Sequence, residues 1–178
     1  MAAEYAFLTR WRLRATAQEV SEVLGDALSL ERWWPSVYLK VTELAPGDSQ
    51  TGVGRVIDLY TKGWLPYTLR WSFKVTESNS PHGFSLVADG DFVGTGVWTF
   101  TQDGDFVDVV YDWRIQADKP LLRIGTPVFR PIFAANHRWA MARGEESLVL
   151  ELMRRRATSE AERKAVPPPP GPTFTRRR

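Results

Sequence analysis

Apolar residues return at intervals of three and four across the stretch from Pro131 to Arg156. Phe133, His137, Ala140, Met141, Gly144, Leu148 and Leu152 fall on one face of a helix, with Trp139, Arg143 and Glu146 on its flanks or back. The spacing predicts one long amphipathic helix. Its stripe is apolar except for His137 at the centre and Glu151 at the edge, and Asn136 stands on its shoulder. Glycine costs a helix interior about 1 kcal/mol relative to alanine. An inward-facing Gly144 therefore implies that a strand or a ligand approaches the backbone closely there.

Upstream the period changes from helical to two. From Glu4 to Arg14, Tyr5, Phe7, Trp11 and Leu13 alternate with Arg10, Arg12 and Arg14, the pattern of a half-buried strand. Thr16, with Glu19 three positions on, is a capping box for a first short helix ending at Gly25. Ser29 is read as the cap of a second, SLERWW, stopped by Pro35. Further strands are predicted over Val37–Leu44, Arg55–Lys62, Tyr67–Glu77, Gly83–Ala88, Phe92–Gln102 and Asp105–Ala117, the last ended by Lys119-Pro120. Short turns join them, Asp103-Gly104 being a strong hairpin signal. The order is strand, two helices, about six strands, long helix. It predicts an α+β domain, with an antiparallel meander of about seven strands whose apolar face packs on the C-terminal helix. The domain is expected to span 1–156, followed by a Pro/Arg-rich disordered tail over 157–178.

Composition narrows the function classes. Hydrophobic residues make up 43% and charged residues 25%, ordinary for a globular chain, but Trp occurs eight times. Such a chain has either a bulky core or a cavity lined with rings. There is no cysteine, which removes disulfides, thiolate metal sites and cysteine nucleophiles and fits a cytoplasmic protein. No apolar run is long enough for a membrane span, and the N-terminus lacks a signal-peptide centre. Of the net charge of +2, residues 154–178 carry +6 and residues 1–153 carry −4. The body is therefore a poor nucleic-acid surface. The Arg triplet at the end is read as a solvated tail in preference to a lipid or nucleic-acid contact.

The opening strand running into LRATAQEV, the short helices ending LERWWP, the meander, and the long helix with its NHRWAMARGEE run together resemble the START-like (SRPBCC) superfamily. That superfamily includes the polyketide cyclases/dehydrases and the Bet v 1-type proteins. The resemblance covers roughly Glu4 to Arg156. It implies a helix-grip fold, in which a curved sheet wraps the last helix around a hydrophobic cavity. It leaves activity open, because members include carriers, receptors, aromatase/cyclases and co-chaperones.

Several residues are candidates for chemistry. His137 is either a polar anchor or proton-transfer group in the cavity, or a structural histidine bonded within the core. Asn136 either meets a ligand carbonyl or pins the helix to a loop. Asp58 stays ambiguous: if Val56, Asp58 and Tyr60 face inward it is a buried carboxylate able to partner His137, whereas Ile57 and Leu59 favour the opposite face. Trp33 and Trp34, about 100° apart on the short helix near the cavity mouth, are read either as one core residue and one bordering the opening, or both as hydrophobic plugs. Tyr60, Trp64, Trp71, Trp98, Tyr111 and Trp113 are candidate wall residues, or else they fill the space themselves. Phe133, Met141 and Gly144 complete the expected lining from the helix. Gly94 and Gly96, two apart on an inward face, imply open space or a bent strand. Asp108, Asp112 and Arg114 read as an outer-face charge network. No phosphate loop, HExxH or GxSxG pattern occurs, so neither metal nor cofactor is expected.

Three functions follow. The first is binding or transport of a lipid-like or aromatic small molecule in the cavity. The second is a cyclase, aromatase or dehydratase using His137, Asn136 or Asp58. The third is an interaction module with a collapsed cavity. The expected partner is a hydrophobic small molecule, with no nucleic acid and no integral membrane association.

Overall fold

The structure, a computed structural model, describes residues 3–117 and 129–174. The strand stop at Lys119-Pro120 and the terminal triplet Arg176 to Arg178 lie outside the described residues. Seven strands form one antiparallel sheet: β1 Ala3–Leu13, β2 Tyr38–Ala45, β3 Val56–Lys62, β4 Thr68–Ser78, β5 Gly83–Gly90, β6 Phe92–Asp103 and β7 Phe106–Ala117. Their order across the sheet is β1-β7-β6-β5-β4-β3-β2. Strands β2 to β7 are a meander, and β1 closes back beside the last strand, from Ala3 opposite Ala117 to Leu13 opposite Val107. Each strand lies within one or two positions of its predicted bounds, because the period-two alternation has a single buried face to satisfy. In β1, Tyr5, Trp11 and Leu13 are buried while Glu4, Arg10 and Arg12 face solvent.

Between β1 and β2 lie α1 Ala17–Gly25, a 3₁₀ turn Ala27–Ser29 and α2 Leu30–Trp33. The Thr16 hydroxyl accepts from the Glu19 amide at 3.1 Å, and the Glu19 carboxylate accepts from the Thr16 amide at 2.8 Å, closing the capping box. Gln102 holds this helix start to β6, accepting from the Ala17 amide at 2.7 Å and donating to the Ala15 carbonyl at 3.1 Å. Ser29 does not cap α2. Its hydroxyl turns back and donates to the Asp26 carbonyl at 2.8 Å, so the 3₁₀ turn runs directly into α2.

The long helix α3, Phe129–Arg156, crosses the concave side of the sheet. Its first half covers strands, with Phe133 against Tyr5 at 4.6 Å between ring centroids. Its second half is clamped to the short helices. Glu151, with a side chain 1% exposed, accepts from Arg32 of α2 at 2.7 and 2.6 Å and from Arg155 at 2.9 Å. Arg156 donates to Glu19 of α1 at 2.7 and 2.9 Å. The Arg156 guanidinium is the main reason the Glu19 carboxyl is held down to about 2, assisted by the Thr16 amide. A carboxyl depressed in the folded state stabilises it above the unfolded pKa, and that stability is lost as pH falls through about 2. Glu19→Gln is expected to cost about 1 kcal/mol at pH 7, combining a weakened cap with a partly exposed ion pair. Urea unfolding at pH 7 and again near pH 2 checks this, the cost shrinking at the lower pH.

The outer sheet face carries the charge network read from the sequence. Arg12 bonds Asp108 at 2.8 Å and Asp103 at 2.7 Å, and Arg114 bonds Asp112 at 3.0 Å. The segment after Arg156, expected to be a Pro/Arg-rich disordered tail over 157–178, is described as far as Phe174. It includes α4 Glu160–Ala165, capped by the Ser159 hydroxyl accepting from the Glu162 amide at 3.1 Å. It then returns to the main body, where the Thr173 hydroxyl donates to the Trp64 carbonyl at 3.0 Å.

Candidate ligand cavity

A cavity of about 90 Å³ lies between α3 and the sheet. From α3 it is lined by Phe133, Asn136, His137, Ala140 and Met141. From the sheet it is lined by Phe7 of β1, Thr61 and Lys62 of β3, Leu69 and Trp71 of β4, Phe92 of β6, and Tyr111, Trp113 and Ile115 of β7. Trp34, Val37, Tyr38 and Gly63 complete it. The helix contributes residues three or four apart because its stripe faces inward. The strands contribute alternate residues for the same geometric reason.

The structure brings together His137, Asn136, Trp34, Trp71, Tyr111, Trp113, Phe133 and Met141 of the residues singled out from sequence. The rest fall elsewhere. Asp58 and Tyr60 lie on the outer face of β3, since Ile57, Leu59 and Thr61 are its buried row. Asp58 is therefore no partner for His137, and Tyr60 instead lies under Arg70, whose guanidinium carbon is 4.5 Å from the ring centroid. Trp64 is 40% exposed on the β3–β4 connection. Trp33 is fully buried in the core beside Trp34, away from the cavity lining. Trp98 stacks behind the wall on Tyr111, with centroids 4.0 Å apart.

The glycines expected to open space are filled by the protein itself. A methyl group at Gly144 would land on the six-membered ring of Trp34, so the close approach is made by that side chain rather than by a strand or ligand. At Gly96 the space is taken by the Tyr111 hydroxyl and the Trp113 ring, and at Gly94 by the backbone of β7. Both readings of the aromatics therefore hold in part: they line a cavity, and they leave it small.

Polar groups are few and placed with consequence. The Asn136 side-chain oxygen accepts from the Leu65 amide at 3.1 Å, pinning α3 to the β3–β4 connection, and its amide fills the space above Gly63. The Thr61 hydroxyl accepts from Trp71 Nε1 at 3.0 Å. His137 stacks on Phe7, centroids 4.2 Å apart, and its Nε2 is buried with no hydrogen-bond partner. Trp34 Nε1 is likewise buried and unpaired. Burial, helped by the positive charge of Arg138, pushes the His137 imidazolium down to about 4, so the ring is neutral at pH 7. Burial also drives the Tyr111 phenol well above its ordinary range, with Tyr38 nearby adding to the effect. Tyr38, Thr61 and Lys62 were not picked out from sequence. Lys62 breaks the alternation of β3, being buried in succession with Thr61, and only its neighbours in space reveal why.

Among the described residues, no group of three or more His, Cys, Asp or Glu side chains is placed to hold a metal ion. No described helix is long and apolar enough to cross a membrane.

No family model matches the chain, and no curated protein matches it in sequence. Solved structures do match its fold. The Zhui aromatase/cyclase from Streptomyces sp. R1128 is 20% identical, with 89% of this chain and 99% of that one covered at a TM-score of 0.66. A START superfamily protein from Mycobacterium smegmatis is 14% identical, with 83% and 98% covered at 0.64. The di-domain aromatase/cyclase BexL of the BE-7585A biosynthetic pathway is 15% identical at 0.61, with 82% of this chain matching 50% of that one.

Proposed function

We propose, from the START-like helix-grip fold that the chain adopts, that it binds a flat apolar small molecule in the cavity between α3 and the sheet. The observation that carries this reading is the cavity itself: aromatic walls around about 90 Å³, in a lining that includes His137 and Trp34, whose ring nitrogens Nε2 and Nε1 are buried and unpaired. Apolar surface withdrawn there from water contributes about 25 cal/mol per Å². Each unpaired nitrogen meanwhile costs about 1–3 kcal/mol until an oxygen or nitrogen of a ligand meets it. A cavity of about 150 Å³ holds benzene, so a polycyclic ligand requires Met141, Phe133 or Trp34 to change rotamer. A remaining void favours binding over an interaction module with a filled core.

The test is native mass spectrometry of the protein as purified, beside its denatured mass. Extra mass that vanishes on denaturation, with an aromatic fragment pattern, supports the binding function. A ligand-free mass, together with no uptake from a panel of aromatic and lipid compounds, rejects it.

A second reading is an enzyme of the cyclase or dehydratase type. Two of the solved structures the chain resembles are aromatase/cyclases. His137, neutral at pH 7 and with a buried, unpaired ring nitrogen, is a weak base because its pKa of about 4 lies well below pH 7, so its contribution would be to accept a hydrogen bond from the substrate or take a proton only late in the transition state. Asn136 and His137 are the polar groups retained for that role; Asp58 is not, because it lies on the far side of the sheet. His137→Ala is expected to abolish turnover of a poly-β-keto substrate by about 100-fold or more while binding changes little. Equal losses in both would return the residue to a binding role.

A further inference from the structure

We propose that Lys62 is the head-group subsite of this cavity, taking an acidic or enolate oxygen of the ligand, and that the chain's own residues 167–174 occupy that subsite in competition. The proposal deepens the binding function above and rests on it. Lys62 ends β3 and lines the polar end of the cavity, next to Thr61, Gly63 and Asn136. It is 9% exposed, yet among the described residues no carboxylate pairs with it. A buried cation is costly unless it is paired.

What meets the ammonium is the C-terminal segment. Lys62 Nζ donates to the Thr173 carbonyl and sits 5.4 Å from the Phe174 ring centroid. Thr173 is held in place by its own hydroxyl, 3.0 Å from the Trp64 carbonyl and 3.4 Å from that of Gly63. At the other end, Arg154 of α3 donates to the Pro167 carbonyl. Between these anchors runs PPPPGP, whose prolines favour an extended, stiff path with little entropy to lose. The segment spans from the far end of α3 to the polar end of the cavity.

A neutral carbonyl and a ring face are weaker partners for an ammonium than an anionic oxygen, whose charge-assisted bonds are about twice as strong. A ligand with a flat body and an acidic head places its body against Trp71 and Trp113 and its head on Lys62. It thereby displaces Thr173. The same chemistry is offered by a carboxylate, a phenolate or the enolate of a β-dicarbonyl.

The test uses calorimetric titration of the full-length chain with 2-naphthoate and its uncharged counterpart 2-naphthamide. The variants are Lys62→Met, Lys62→Gln, and the pair Thr173→Val with Phe174→Ala. Naphthoate is expected to bind about tenfold more tightly than naphthamide, and both Lys62 variants to erase that preference by weakening naphthoate alone. The tail pair is expected to tighten naphthoate about tenfold when Lys62 is present and to do nothing in the Lys62→Gln background. A naphthoate preference that survives both Lys62 variants overturns the subsite. Equal tightening of both compounds by the tail pair shows a merely steric cover and overturns the competition. If neither compound binds any form, the head-group subsite is overturned, whereas the binding function itself is decided by the native mass and the wider panel of compounds. Near-UV circular dichroism confirms which variants are folded, and having two substitutions at Lys62 keeps the outcome decisive if one is not.

Discussion

Trp34→Ala is expected to lower the unfolding free energy by about 3–5 kcal/mol, in the range for truncating a buried tryptophan. Trp34 is 2% exposed and packs on Trp33 at 5.4 Å, Tyr38 at 5.2 Å and Trp11 at 6.0 Å between centroids. Its ring also fills the space over Gly144, so the truncation joins that space to the existing cavity of about 90 Å³. Gly144→Ala gives the complementary experiment. Alanine adds about 1 kcal/mol of helix propensity, but its methyl collides with Trp34, and overpacking costs about 1–3 kcal/mol. The single change is therefore expected to be neutral to destabilising. In the Trp34→Ala background the collision is gone, and Gly144→Ala becomes stabilising. Urea midpoints of the four proteins close the cycle. A coupling below about 0.5 kcal/mol would mean that the two sites are independent and the packing argument is wrong.

Acid is expected to weaken the fold well before the carboxylates titrate. His137 binds its proton at about 4 in the folded state, whereas an unfolded histidine does so near 6.5. Between these values the unfolded chain holds more protons than the folded one, so stability falls as pH falls. The depression amounts to about 3 kcal/mol, present in full above about pH 6.5 and withdrawn by about pH 4. Below that, Glu151 continues the loss. Its carboxyl is subject to burial, which raises its pKa, but Arg32 and then Arg155 outweigh this and hold it below the ordinary range. Its stabilisation is present above the unfolded pKa and is lost as pH drops through the lowered folded one. Urea titrations from pH 7 to pH 4 are expected to show a steep decline in the native chain and a shallower one in His137→Gln. Parallel curves for the two would show that His137 is not the group responsible.

The strands and the long helix could be read from the sequence because each has one buried face, and period two or period 3.6 expresses it locally. The face of β3 could not. Val56 and Tyr60 compete with Ile57 and Leu59 for the inward row, and only pairing with β4 decides, placing Leu59 opposite Trp71. The tryptophans show the same limit: Trp33, Trp34 and Trp98 are all buried, yet only Trp34 reaches the cavity, a difference set by tertiary placement. His137 and Asn136 stood out as polar breaks in an apolar stripe. Lys62 gave no such signal, and the tail that covers it lies 111 positions away, with a proline-rich composition that has no periodicity to read.

The pairing of β1 with β7 bears on how the chain is made. Arg12 meets Asp108 across 96 positions, and Gln116 meets Glu4 across 112. On a ribosome adding about 5–20 residues per second, the first strand waits several seconds for its partner, presenting Tyr5, Phe7, Trp11 and Leu13 with no sheet to join. The sheet is sealed only once β7 has emerged, and α3 comes after it. Any message truncated before β7 yields a nascent chain with an orphan amphipathic edge, a substrate for chaperones and for aggregation rather than a smaller working domain.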